Sequence, residues 1–209
     1  MLKVGLTGGI ACGKSTVAAM LASRGANVLQ ADLVAHELMR PGHAIYDEVV
    51  RRFGRSILND NQTVNRARLA EVAFAPDNVR IGELNQIIHP AVLAYQEQWL
   101  KETSQRDPRG VAFIEAALIL EAGARGQFDK IVVVTCRQDQ KAERLAQRLG
   151  LSVDDAQREV TRRSSAQMQD EEKLRQADYV IDASGTLAHT EEQVQTLWNE
   201  LSSAAASLR

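Results

Sequence analysis

The segment Gly8-Gly9-Ile10-Ala11-Cys12-Gly13-Lys14-Ser15 fits G-x-x-x-x-G-K-S/T at every fixed position. The chemistry such a run offers is anion binding. Glycines let a backbone wrap a phosphate without Cβ clashes, and successive N–H groups at a helix start point towards it. In a triphosphate site, Gly9, Ala11, Cys12 and Gly13 are expected to supply the cradle. Lys14 is expected to reach the β- and γ-phosphates, Ser15 to bind Mg²⁺ and Thr16 to lie near the α-phosphate. A glycine-rich turn with a chance lysine is the other reading, and it neglects the apolar strand before the run and the helical pattern after it. Cys12 is either a small loop residue or a redox-sensitive thiol at a helix N-terminus.

A phosphate loop alone does not choose among kinase, GTPase, motor and regulatory module. No Asn-Lys-x-Asp string for guanine is present. A D-x-x-G string, Asp182-Ala183-Ser184-Gly185, follows the last apolar run and reads as accidental. Asp32 ends the second apolar run, at the strand end where open α/β sheets bind ligands. Its carboxylate suits orienting or deprotonating an acceptor hydroxyl; it equally suits a helix N-cap, and both roles are compatible. Arg144 and Arg148 are four residues apart on one helical face, where a closing flap brings positive charge to a moving phosphoryl group. Arg158 and Arg162 interleave with Asp154, Asp155 and Glu159, as on a solvated surface helix. Glu115 stands at a strand end where it either approaches Mg²⁺ through water or serves only the fold.

The elements that must position these residues follow from pattern. Short apolar runs lie at Lys3 to Thr7, Ala26 to Ala31, Val111 to Ala116, Ile131 to Thr135 and Tyr179 to Ile181, separated by helical stretches. That alternation implies a parallel sheet covered on both faces. Between the second and third runs the pattern is almost wholly helical, from Ala44 to Phe53, Arg66 to Phe74 and Pro76 to Thr103, with Pro90 expected to kink or break the last stretch. Gln138 to Lys173 is a second, arginine-rich helical insert, and Leu187 to Leu201 a final amphipathic helix.

The 209 residues suffice for one α/β domain with inserts. A net charge of −2 gives no global basic field for nucleic acid or an anionic membrane. Two isolated cysteines make neither a zinc site nor a disulfide framework. No leader pattern and no stretch near the roughly 18 apolar residues of a membrane span are seen, so a cytoplasmic chain is the expectation. The oligomeric state stays open, with a monomer as the default.

Several motifs in order resemble the dephospho-coenzyme A kinase family across nearly the whole chain. They are Leu6-Thr7-Gly8-Gly9-Ile10 with Gly13-Lys14-Ser15-Thr16, Ala31-Asp32-Leu33-Val34-Ala35-His36-Glu37-Leu38, Asn65-Arg66 with Leu69 and Phe74, His89-Pro90, Arg144 and Arg148, Gln167-Met168, Glu171-Glu172-Lys173, and Ala177 to Asp182. The sequence departs from the family where Cys12 replaces a serine or similar residue. It also departs where Ala117-Leu118-Ile119-Leu120-Glu121 stands for Pro-Leu-Leu-x-Glu, and where Ala183 replaces an asparagine. The resemblance implies a P-loop kinase sheet from 1–32, 111–137 and 174–209, a helical acceptor subdomain at 33–110 and a lid at 138–173. It implies ATP with Mg²⁺ and dephospho-coenzyme A as substrates, Asp32, Lys14 and Arg144 as catalytic residues and Arg148 on ATP. It further implies that Asp32, Arg66 and His89 bind the acceptor, although Arg66 also suits a surface ion pair and His89 a packing role. His36, His43 and His189 read as surface or packing residues. Another nucleoside-type kinase, or a nucleotide-sensing module without turnover, are the competing readings.

Overall fold

The computed structural model describes residues 1–75, 79–165 and 167–207. The start of the long helical stretch expected from Pro76 lies outside them. The chain forms two compact units, Met1–Gln30 with Glu102–Arg209 and Ala31–Lys101.

The first unit is built on five parallel strands: β1 (Leu2–Gly8), β2 (Asn27–Gln30), β3 (Val111–Glu115), β4 (Lys130–Thr135) and β5 (Tyr179–Asp182). Their order is β2-β3-β1-β4-β5. β1 is central, with Leu2 to Leu6 in register with Val111 to Glu115 on one side and Val4 to Gly8 with Lys130 to Val134 on the other. The winding reverses beside β1, so the C-terminal end of β1 is the crevice where such sheets bind ligands.

The β-branched and aliphatic runs are buried on both faces, as a parallel sheet demands. Leu2, Val4, Leu6, Phe113 and Val134 pack on one face against Val17 and Leu21 of α1 (Lys14–Ser23) and Val194, Leu197 and Leu201 of α9 (Leu187–Ala206). On the other face Ile131 and Val133 meet Ile119, Leu120 and Phe128. Gly5 belongs to this second layer: a Cβ there would lie 2.7 Å from Ile131 Cδ1, so only glycine admits the close packing.

Between β4 and β5 stand α6 (Gln138–Leu149), α7 (Val153–Ser164) and α8 (Asp170–Gln176). Gly150 closes α6 at a positive φ of 66°, and Ser152 caps α7 by accepting the Asp155 N–H. Leu145, Ala146, Ala156 and Val160 of this arm pack on Ile10 of the glycine-rich loop.

The second unit holds α2 (Ala31–Leu38), α3 (Ala44–Phe53), α4 (Arg66–Ala73) and most of α5 (Ile81–Arg106). Its own core gathers Met39, Val49, Phe53, Ile57, Leu58, Leu69 and Ala73. Asn65 caps α4, accepting from the Ala67 and Arg68 N–H groups. Pro90 does not end its helix: α5 runs from Ile81 to Arg106 as one element. Proline removes a single ladder hydrogen bond, and at an exposed position that loss is tolerated within so long a helix. No helix among the described residues is long and apolar enough to cross a membrane.

Candidate active site

The loop from Gly8 to Ser15 leaves the central strand and enters α1 directly. Gly8 has φ 151°, and a Cβ there would lie 2.1 Å from the Val134 carbonyl oxygen, so the exit from β1 requires glycine. Gly13 takes φ 91°, and Ala11, with φ 57°, adopts the left-handed region despite its Cβ. The Cys12 N–H reaches the Gly9 carbonyl at 3.4 Å, tightening the turn. Gly13 is the N-cap of α1 and offers no side-chain cap, and the first turn holds no acidic residue. The positive end of α1 is thus left for an external anion. Lys14 Nζ donates to the Gly8 and Gly9 carbonyl oxygens, each at 3.0 Å, which folds the ammonium over the loop. Ser15 and Thr16 are exposed at the helix start.

A cleft of about 240 Å³ opens beside this loop, lined by Gly13, Thr16, Arg144, Ala183, Gly185 and Leu187. Arg144 Nη2 donates to the Ala183 carbonyl oxygen at 2.7 Å, and the Ala183 N–H donates to Thr135 O at 2.8 Å. Both backbone groups of Ala183 are therefore engaged. The Asp182-Ala183-Ser184-Gly185 string, read from sequence as accidental, is the turn that shapes this wall. The Ser184 N–H donates to Asp182 Oδ1 at 2.9 Å, the Arg137 N–H donates to Ser184 Oγ and Gln140 Nε2 to Ser184 O. The hydrogen bonds from Ser184 hold the Asp182 carboxyl below its ordinary range. Arg148, one turn beyond Arg144, is exposed and makes no ion pair among the described residues.

Behind the loop lies a charged cluster that sequence reading missed. Lys141 is 3% exposed and ion-pairs with Asp170. Burial works against its charge, but the Asp170 carboxylate and two neighbouring thiols outweigh it and raise the ammonium above its usual value. The only local signal was a lysine in an otherwise amphipathic helix. Glu115 is buried at the end of β3, in register with Leu6 of β1. Glu121 accepts the Met168 N–H at 2.9 Å and pairs with Lys173 Nζ at 2.9 Å. Lys173 is only 1% exposed, so this pair fastens the start of α8 to the turn after β3. Arg158 pairs with Asp155 at 2.6 Å and Arg162 with Glu159 at 2.8 Å, a surface arrangement as expected.

In the second unit Asp32 sits in the first turn of α2, exposed, rather than at the end of β2. The chain turns helical at Ala31, one residue earlier than the apolar run suggested. His36, one turn along, is half-buried. Burial lowers its pKa, as does the Arg66 guanidinium, while Asp32 opposes them. Asp32, His36 and Arg66 thus form one electrostatic group. The i, i+4 spacing of Asp32 and His36 was the available sequence signal for it. His89 is exposed on α5 and makes no hydrogen bond or ion pair among the described residues, so the geometry does not join it to that group.

A family profile for dephospho-CoA kinase matches residues 2–189. A dephospho-CoA kinase of Aquifex aeolicus is 39% identical over 96% of this chain and 98% of its own length. Among solved structures, TT1252 of Thermus thermophilus is 30% identical with a TM-score of 0.74, covering 96% of this chain and 97% of that one. A dephospho-CoA kinase from Campylobacter jejuni, 24% identical, shares the fold with a TM-score of 0.69 over 97% of this chain and 98% of that one. Matched by the family profile over residues 2–189 and by a relative 39% identical over 96% of its length, the chain belongs to the dephospho-CoA kinase family.

Proposed function

We propose that this chain transfers the γ-phosphoryl group of ATP to the ribose 3′-hydroxyl of dephospho-CoA, releasing ADP and coenzyme A. The family match over residues 2–189 is the observation that carries the acceptor. The uncapped, acid-free start of α1 behind a glycine-rich turn supports the triphosphate. Lys14, which already spans two loop carbonyls, exchanges them for β- and γ-phosphate oxygens. The cleft beside Gly13 and Thr16 takes the adenine base, with Arg144 as one wall. Lys14 and Arg144 meet the developing charge, and Arg148, one turn further along α6, meets ATP.

Asp32 orients or deprotonates the acceptor hydroxyl, and Arg66 meets acceptor phosphates, with His36 between them in charge. No cluster of three or more metal-ligating side chains occurs among the described residues. The Ser15 hydroxyl, with Glu115 buried at the neighbouring strand end, fits a Mg²⁺ that arrives on the nucleotide and keeps mostly phosphate and water ligands. Such an ion would neutralise phosphate charge in the transition state.

A coupled ADP-release assay with MgATP and dephospho-CoA tests the reading, with mass spectrometry of the product. Acceptor-dependent release and a product heavier by one phosphoryl group are expected. Folded protein that binds ATP and turns over no dephospho-CoA would refute the acceptor.

A further inference from the structure

Both cysteines lie behind the phosphate loop, and phosphate binding uses neither side chain. Cys12 belongs to the loop and is fully buried; Cys136 follows β4 directly and is 7% exposed. Their sulfurs are 3.2 Å apart, with the Cys136 thiol donating to Cys12 Sγ. The pair abuts the Lys141–Asp170 cluster. A Cβ placed on Gly9 would lie 3.0 Å from Cys12 Sγ, 3.2 Å from Asp170 Oδ1 and 3.3 Å from Lys141 Nζ. Thiol, carboxylate and ammonium converge there on one point of the loop.

We infer that Cys12 and Cys136 are an intramolecular disulfide site, and that closing the bond withdraws the phosphate loop from its nucleotide. The co-reactant is a hydroperoxide. Cys12 sulfur attacks a peroxide oxygen, the O–O bond breaks, and a sulfenic acid forms as one water leaves with hydrogen peroxide as oxidant. Cys136 sulfur then attacks the sulfenic sulfur, the S–O bond breaks and a second water leaves. Two thiols are oxidised, one peroxide is reduced, and both thiol hydrogens end in water.

The order of attack follows from the surroundings. The hydrogen bond from Cys136 brings the Cys12 thiol down to about 7 against its burial, with Lys141 and Lys14 assisting and Asp170 opposing. Cys136, as the donor of that bond, is pushed up. Once Cys12 is a sulfenic acid, that thiolate no longer holds the Cys136 proton, and Cys136 is free to act as the resolving thiol.

A disulfide needs about 2.05 Å between sulfurs, so the two must close by about 1.2 Å from their present separation. Cys12 Sγ is hemmed in at Gly9, and its chain neighbours Ala11 and Gly13 already hold positive φ. The displacement therefore passes into the loop N–H groups that must face phosphate, where small misplacements are costly.

The inference rests on the nucleotide-binding reading of this loop for its consequence, but not for the bond itself. The reduced full-length chain is treated with hydrogen peroxide, with and without MgATP, and followed by intact mass, peptide mapping and ATP titration. Expected are a loss of two hydrogens, a 12–136 linkage, ATP affinity weakened by at least about tenfold, and recovery with dithiothreitol. MgATP should slow linkage by holding the loop. Cys136→Ala should bind ATP normally before treatment and form no linkage. A chain that stays unlinked after prolonged peroxide exposure would overturn the site. A linked chain with the affinity of the reduced one would overturn its consequence. An untreated chain that fails to bind MgATP would instead count against the functional reading, and the mass measurement would still decide the bond.

Discussion

At the residue scale the loop is governed by what cannot be there. The Val134 carbonyl lies 2.1 Å from where any Cβ on Gly8 would stand, and it belongs to the backbone of a central strand that has no freedom to retreat. Gly8→Ala is expected to cost more than about 3 kcal/mol in chemical denaturation and to abolish ATP binding in what still folds. Retained stability would show that β1 and β4 can separate locally. Asp32 carries the opposite kind of constraint, since its exposed place in the first turn of α2 asks nothing of the fold beyond a favourable dipole contact. Asp32→Asn should leave ATP affinity and melting temperature almost unchanged, yet lower turnover by about 10²- to 10⁴-fold, the usual worth of a positioned proton acceptor. Steady-state kinetics at wild-type rate would remove Asp32 from the chemistry.

At the element scale, α8 is fixed by the Lys173–Glu121 ion pair. The ammonium is 1% exposed, and Glu121 Oε2 is buried without a hydrogen-bond partner among the described residues. Removing one partner strands a buried charge, whereas removing both strands none. Lys173→Met alone should therefore lose about 3–5 kcal/mol by urea denaturation, and the Glu121→Leu/Lys173→Met double variant should recover most of it. If the double variant were as weak as the sum of both singles, the two side chains would be energetically uncoupled, and the ion pair would not be what fixes α8. Sequence made the existence of these elements legible, because β-branched runs and helical spacing act locally. It misplaced the boundary at Asp32, since Ala31 has no side-chain signal against continuing β2 and only the tertiary path turns it into helix. Of the two outcomes expected at Pro90, the break does not occur, because the cost of one missing N–H is small beside the packing of Ile81, Leu84, Ile87 and Ile88 into their unit's core.

At the scale of the molecule, the legible part of the site was the part written in consecutive residues. Gly8 to Thr16 could be read directly, because a phosphate cradle is made of one turn. The Lys141–Asp170 pair, the Cys12–Cys136 contact and the anchoring role of Glu121 join residues 29 to 124 positions apart and had no local signature. The same long-range assembly sets the response to acid, and the two units respond in different windows. In Ala31–Lys101, burial and Arg66 lower His36 from 6.5. The folded unit then favours neutral histidine, and its contribution is lost as pH falls below 6.5. In the sheet unit, Arg162 leads in lowering Glu159 from 4.5 to about 2. The folded unit there favours the ionised carboxylate, so the contribution is present above 4.5 and lost as pH falls towards 2. Solvent screening keeps that second term below about 1 kcal/mol. The two tryptophans report separately, Trp99 from one unit and Trp198 from α9 of the other. With Trp198→Phe, fluorescence-detected melts of the remaining Trp99 should soften as pH falls below 6.5. With Trp99→Phe, melts of Trp198 should hold until about pH 4 and then decline. Adding His36→Gln should remove the upper step and leave the lower one. Coincident decline of both signals through the upper window, insensitive to His36→Gln, would mean that the units melt as one and that acid acts elsewhere.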